Sequence, residues 1–378
     1  MKIRILKGIS QEMLDSKLAI GWTRGIALGL VVVAAVAAPA LAQHSPSTVY
    51  QPTLDRIATF VVGNNGHLYD KYYNGGWIWE AQGNPPGALA IDSPSVVYQP
   101  TLDRISTFVV SNNGHLYDKY YNGGWIWEAQ GNPPGALAIN SPSAVYQPTL
   151  DRIATFVVGN NGHLYDKYYN GGWIWEAQGN PPGALAINSP SAVYQPTLDR
   201  IATFVVGNNG HLYDKYYNGG WIWEAQGNPP GALAINSPSA VYQAPLDRIV
   251  AFVVGNNGRL YDKYYNGGWI WEAQGNPPGA LAINSPSAVY QPPLNRIVTF
   301  VVGNNGHLYD KYYNGGWIWE DQGNPPGALA IGSPSAVYQP TLDRIVTFVV
   351  GNNGHLFDKY WNGQQWVWED QGDPGIRL

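Results

Sequence analysis

From Ser45 onward the chain carries, once every 48 residues and in fixed order, an arginine, an aspartate, a tryptophan and a glutamate: Arg56, Asp70, Trp77 and Glu80 in the first occurrence. Their chemistry is that of sugar recognition. A guanidinium and two carboxylates offer planar donors and acceptors to neighbouring hydroxyls, and an indole face takes up ring C–H groups, provided a crevice brings them together. The arginines are Arg56, Arg104, Arg152, Arg200, Arg248, Arg296 and Arg344, and the aspartates Asp70, Asp118, Asp166, Asp214, Asp262, Asp310 and Asp358. The tryptophans are Trp77, Trp125, Trp173, Trp221, Trp269, Trp317 and Trp366, and the glutamates Glu80, Glu128, Glu176, Glu224, Glu272, Glu320 and Glu369. Each has a purely structural alternative. Trp77 and Trp79 alternate along a strand and would pack between sheets as readily as under a sugar. Asp55 and Arg56 would make a loop ion pair, and Asp70 a strand-end bond to a neighbouring sheet. In the sixth copy Asn295 precedes Arg296, so the acid is replaced where the arginine persists.

Catalysis finds less support. Glycoside hydrolysis needs two carboxylates roughly 5 to 9.5 Å apart, which Asp70 and Glu80 would offer in every copy, yet nothing in the sequence marks either as an acid of raised pKa. Hydrolases built on rings of repeats gather unlike residues on the axis, and these copies hardly differ. His67, His115, His163, His211, His307 and His355 recur once per copy, with Arg259 in the fifth, which is not metal-ligand spacing. A solvated hairpin tip accounts for them. Cysteine is absent, so thiolate chemistry and disulfides are excluded. The expectation is a binding protein with no cofactor and no metal.

Copies begin at residues 45, 93, 141, 189, 237, 285 and 333, each with Ser-Pro-Ser, and residues 141–188 and 189–236 are identical. Such recent duplication means that agreement between copies does not identify functional positions. In the third copy four β-branched and aromatic runs stand between turn signals: Ser143 to Tyr146, Arg152 to Val158, His163 to Tyr169 and Trp173 to Gln178. Gly159-Asn160-Asn161-Gly162 predicts a tight hairpin with positive φ at Asn-Gly, and Asn170-Gly171-Gly172 a second. The link Gly179 to Asn188, with Pro181 and Pro182, is expected to carry no ladder. Four-stranded units of this length describe an all-β, seven-bladed β-propeller, with four antiparallel strands in each 48-residue blade. An open array would leave two apolar end faces, and neither terminal copy has a polar cap. Closure is favoured by the ends too: Ala40 to His44 and Gly375 to Leu378 both echo the inter-blade Gly-Ala-Leu-Ala-Ile, so the tail can supply the missing link. In a meander, the first–second loop and the third–fourth hairpin emerge on one side of the ring, which places Arg56 and Trp77 together, with Asp70 and Glu80 one strand further into the same crevice.

Composition agrees. Only 12% of residues are charged while 13% are aromatic, and 45 Gly and 29 Pro punctuate short elements in a chain whose apolar content can fill a large core. Residues 1–42 hold five bases and two acids; the remainder holds 16 and 24, leaving no basic stripe for nucleic acid or an anionic membrane. Gly25 to Ala42 is an uncharged Ala/Val-rich run after Arg24, ending in Ala40-Leu41-Ala42: a secretory signal with cleavage expected before Gln43. A start at Met13 would give it ordinary length. The mature protein is then secreted, periplasmic or at the cell surface, with no membrane insertion after cleavage.

The motifs R-x-x-x-F-V-x-G from Arg56, L-Y-x-K from Leu68, N-G before Trp77, and W-E-x-Q-G from Trp79 recur through residues 45–378. In these the chain resembles the PLL-type bacterial lectins, seven-bladed propellers that bind fucose and related, sometimes O-methylated, sugars between neighbouring blades. It departs from them in the third strand, where six copies have Tyr-Tyr and only the last has Tyr360-Trp361. The resemblance implies glycan partners, fucosylated or O-methylated ones included, and a multivalent lectin. The competing expectation is a protein-binding or cell-envelope scaffold whose flat ring face meets a partner.

Overall fold

The computed structural model describes residues 45–378; the expected signal (1–42), the alternative start at Met13 and the Ala40–His44 echo lie outside the described residues. Each copy folds into one four-stranded antiparallel sheet, giving seven blades. In blade one the strands are β1 (Ser47–Gln51), β2 (Arg56–Val62), β3 (Leu68–Tyr73) and β4 (Trp77–Gly83), paired in that order. Register decides what each face carries. Gln51 opposes Arg56, Ala58 opposes Tyr72, Phe60 opposes Asp70 and Asp70 opposes Glu80, so these share one face. Ile57, Val61, Tyr69, Lys71, Trp77 and Trp79 share the other. The two faces meet different neighbours. Ala58, Phe60, Val62 and Leu68 pack with Ile105, Val109, Tyr117, Trp125 and Trp127 of blade two, while Ile57, Val61, Tyr69, Trp77 and Trp79 pack with Val346, Phe348 and Val350 of blade seven. Blade seven thus closes directly on blade one, and β2, buried on both faces, reads as an unbroken apolar run. Phe60 and its six counterparts are fully buried, each contributing about 1.5–3 kcal/mol of apolar burial.

The recurring Ser-Pro-Ser has a specific task at the axis, where the first strands of neighbouring blades meet. The N–H of Ser45 donates to Ser93 Oγ at 2.7 Å, the pattern repeats from blade to blade, and the N–H of Ser333 donates back to Ser45 Oγ at 2.8 Å. The second serine bonds in the opposite sense: Ser47 Oγ of blade one accepts from the Val96 N–H of blade two at 3.1 Å. An inner strand edge would otherwise expose unpaired donors.

Three sequence expectations are corrected. The first strand is longer than the run read from sequence, Ala138–Gln147 in blade three and Ala186–Gln195 in blade four. The end of the link therefore does join the ladder, Ala186 on Gly207 and Ile187 on Val206, and a bulge before Ser191 absorbs the proline, which sits on the strand edge where no ladder donor is needed. In the second–third hairpin only the glycine takes positive φ (Gly162, 75°); Asn161 instead accepts the His163 N–H at 3.1 Å and donates to Tyr165 Oη at 2.7 Å. Asp55 makes no loop ion pair, as described below. The tail behaves as expected of a link: Leu378 is buried against Ile57, Val61 and Tyr69, and the Asn64 N–H donates to the Arg377 carbonyl at 3.2 Å. No strand is exchanged between the ends, since each sheet comes from one copy.

Candidate functional site

Between blades one and two lies a crevice lined by Gln51, Leu54, Arg56, Asp70, Tyr72 and Glu80 of the first blade and by Asp103, Ile105, Tyr121, Gly124 and Trp125 of the second. Corresponding crevices separate blades two and three, four and five, five and six, and six and seven, with volumes from 380 to 570 Å³, the size of small-ligand sites. The predicted quartet is brought together, but not from one copy. Arginine, aspartate and glutamate come from one blade and tryptophan from the next, because Trp77 lies on the opposite sheet face from Arg56 and packs edge-on against Phe348 of blade seven at 5.7 Å. Across the four–five crevice the two halves touch: Trp269 Nε1–H donates to Glu224 Oε2 at 3.3 Å. Trp79 is structural, its Nε1–H donating to the Gln371 carbonyl of blade seven at 2.9 Å.

Each functional group is held by neighbours. Arg56 Nε–H donates to Gln51 Oε1 at 2.7 Å, and its guanidinium lies 5.1 Å from the centre of the Tyr72 ring, a cation–π stack that fixes its plane. Gln51 in turn donates to Asp103 Oδ1 of blade two at 2.9 Å, and Asp103 also accepts from Thr53 Oγ1 at 2.5 Å and Tyr98 Oη at 2.8 Å. Those hydrogen bonds, Gln51's foremost, hold the Asp103 carboxyl below its ordinary pKa. This is the position of Asp55, and its role is an inter-blade latch: Asp55 accepts from Tyr50, Gln339 and Thr341. The latch aspartate ends a short 3-10 turn (Pro52–Leu54 in blade one) with φ of 45°, a left-handed conformation that Asn also tolerates, and Asn295 occupies it in blade six. There the preceding blade has Pro245 in place of the threonine, so the hydroxyl donor and the carboxylate acceptor change together at that seam.

Asp70 forms the floor. It is 2% exposed and accepts from Gln82 Nε2 of its own blade at 2.9 Å, rather than bonding to a neighbouring blade as the structural alternative had it. Burial, reinforced by Glu80 opposite and opposed by Gln82 and Arg56, pushes its pKa up to about 7, and the same holds at all six equivalent positions. Sequence gave no sign of this. Glu80 stands exposed on the outer strand, and Lys119 of blade two, its ammonium 5.1 Å from the Trp127 ring centre, has its pKa lowered by burial with Glu80 opposing. Trp125 is wedged edge-on between Phe60 (5.8 Å) and Tyr121 (5.7 Å), and exposed Leu54 and Tyr121 form the lip. Gln51, Tyr72, Tyr121 and Leu54 were not among the residues predicted; counting strand parity from Arg56 through both hairpins would have placed Gln51 and Tyr72 beside it. The arrangement offers planar polar groups at the floor, an aromatic wall and an apolar lip. Histidines sit elsewhere: His307 and His355 pair with Asp321 and Asp370 at 2.9 and 3.0 Å on exposed surface.

No protein-family model matches the chain, and no curated protein matches its sequence. Solved structures do. The BP39L lectin from Burkholderia pseudomallei superposes with a TM-score of 0.67 at 17% identity, covering 90% of this chain and 100% of that one. AofleA from Arthrobotrys oligospora gives 0.54 at 14% identity over 75% and 86%. The SapL1 lectin, solved in complex with alpha methyl fucoside, gives 0.50 at 16% identity over 75% and 96%. The resemblance read from the repeat motifs thus extends to the fold.

Proposed function

We propose that this protein is a secreted, multivalent carbohydrate-binding protein, a lectin, taking one sugar per inter-blade crevice. One observation carries the reading: the buried carboxylate, the stacked guanidinium and the tryptophan converge from two blades on one crevice, and do so repeatedly around the ring. Asp70 and Glu80 accept from vicinal hydroxyls, Arg56 donates, and Trp125 and Tyr121 take the apolar sugar face. The solved fucoside complex of a similar fold supports a fucose-like ligand. Single shallow sites of this kind bind in the millimolar to micromolar range, and several on one rigid ring raise avidity by about 10²–10⁴ on a dense glycan surface. The raised pKa of Asp70 beside Glu80 would also suit an acid of a glycosidase, but the aspartate is buried, bonded to Gln82 and repeated without variation, which favours binding over hydrolysis. The test is a glycan array including fucosylated and O-methylated glycans, with competition by free monosaccharide and an assay for released reducing sugar. Inhibitable binding without release is expected, lost when Trp125 and its counterparts become alanine. A folded protein that binds no glycan would reject the lectin in favour of a protein-binding scaffold.

A further inference from the structure

The crevices are not equivalent. In the third strand the outermost aromatic residue of the incoming blade is tyrosine in six copies, but Trp361 in the seventh, and Trp361 lines the crevice between blades six and seven together with Trp366. The two indoles are direct cross-strand partners, with ring centres 6.0 Å apart and planes at 72°, and Trp361 remains 39% exposed. The hairpin joining them is also different. Where other blades have Asn-Gly-Gly, blade seven has Asn362-Gly363-Gln364-Gln365, and Asn362 Oδ1 accepts the N–H groups of both Gln364 and Gln365 at 2.9 Å. That bonding fixes the loop between the two rings. The crevice itself is smaller, 380 Å³ against 460 to 570 Å³ between blades one and two, two and three, four and five, and five and six. Its polar floor is unchanged: Arg296, Asp310, Tyr312 and Glu320 line it as their counterparts do elsewhere.

We infer that the crevice between blades six and seven is a separate, tighter class of sugar site, whose selectivity is set by Trp361. The inference rests on the lectin reading. A wider indole face in a smaller crevice covers more of a sugar's C–H surface than a phenol does, and to the cross-strand indole that every blade supplies this one adds the bonded loop, so less freedom is lost on binding. The polar floor then selects the same hydroxyl pattern everywhere, while the two-indole wall rewards a ligand with a larger apolar face, such as a deoxy or O-alkylated sugar.

The experiment titrates the purified protein calorimetrically with methyl α-fucoside, methyl α-mannoside and methyl β-galactoside, each also in an O-methylated form. For the sugar that binds, two classes of site are expected, one of them of unit stoichiometry and about five- to tenfold tighter, a gain of the size that one aromatic contact supplies. Trp361→Tyr should merge the two classes. Tyr313→Trp, in the crevice between blades five and six, should raise the tight stoichiometry to two, so the inference does not depend on one variant folding. A single class of site in the parent, unchanged by both substitutions, would overturn it and leave the lectin reading intact. No binding of any of these sugars, in a protein that also gives a blank glycan array, would overturn the lectin reading itself, and this inference with it.

Discussion

Asp70 and its six counterparts are carboxyls kept out of water by the blades that enclose them, and the cost of ionising them appears as a pH dependence. Their native pKa is about 7 against an ordinary 3.8, so between those values the folded ring holds protons that the unfolded chain has released. The stability they contribute is fully present below about pH 4 and is lost as pH rises toward 7. A fall in stability of up to about 1.4 kcal/mol per pH unit per aspartate is the limit. Asp166→Asn mimics the protonated form and keeps an oxygen for Gln178. It should match the parent below about pH 4, exceed it by a margin that grows as pH rises toward 7, and reduce the proton uptake coupled to folding between those values by one, all readable from urea unfolding at a series of pH values. These residues also show what sequence could and could not convey. The residue types of the site were legible because each repeats in register. Which blade each one serves was not, because Arg56 and Trp77 emerge on the same side of the ring yet lie on opposite faces of the sheet. The raised pKa was invisible for a related reason, since burial of Asp70 comes from the neighbouring blade.

At the scale of the strand and turn, the four runs per copy were legible from their apolar composition and turn residues, and the extension of the first strand was not, because its pairing passes through Ser-Pro-Ser by way of a bulge. The two glycine hairpins look alike in sequence and carry different loads. Gly114, with φ of 75°, lies under the inter-blade link, so that a Cβ there would stand 2.5 Å from Leu137 Cβ; Gly123, with φ of 70°, faces open space. Gly114→Ala should therefore lower stability by about 2–3 kcal/mol, through both the left-handed backbone and the displaced link, whereas Gly123→Asn should cost no more than about 1 kcal/mol. Urea midpoints for the two variants decide it, and equal losses would mean that the link does not press on the hairpin.

For the whole molecule, closure rests on side chains and a short tail. Leu378 fills the blade seven–blade one seam with 4% of its surface exposed, in the place that an alanine of the link fills elsewhere. Leu378→Ala should cost about 2 kcal/mol or more, with the loss registered as earlier thermal unfolding of the entire ring rather than of one blade, because opening a single seam uncovers two blade faces at once. A separate early transition in calorimetry would contradict that cooperativity. The serine belt has a different consequence. The bond from the first serine crosses the seam between the chain ends as it crosses the seams bridged by polypeptide, so that part of the belt does not depend on where the covalent thread begins. A gene re-cut at another link is expected to encode a ring that still closes. Unequal recombination between such units adds or deletes whole blades in frame, and the products are then sorted by geometry alone: only a number of units whose last face meets the first at the angle the serines require gives a finished molecule.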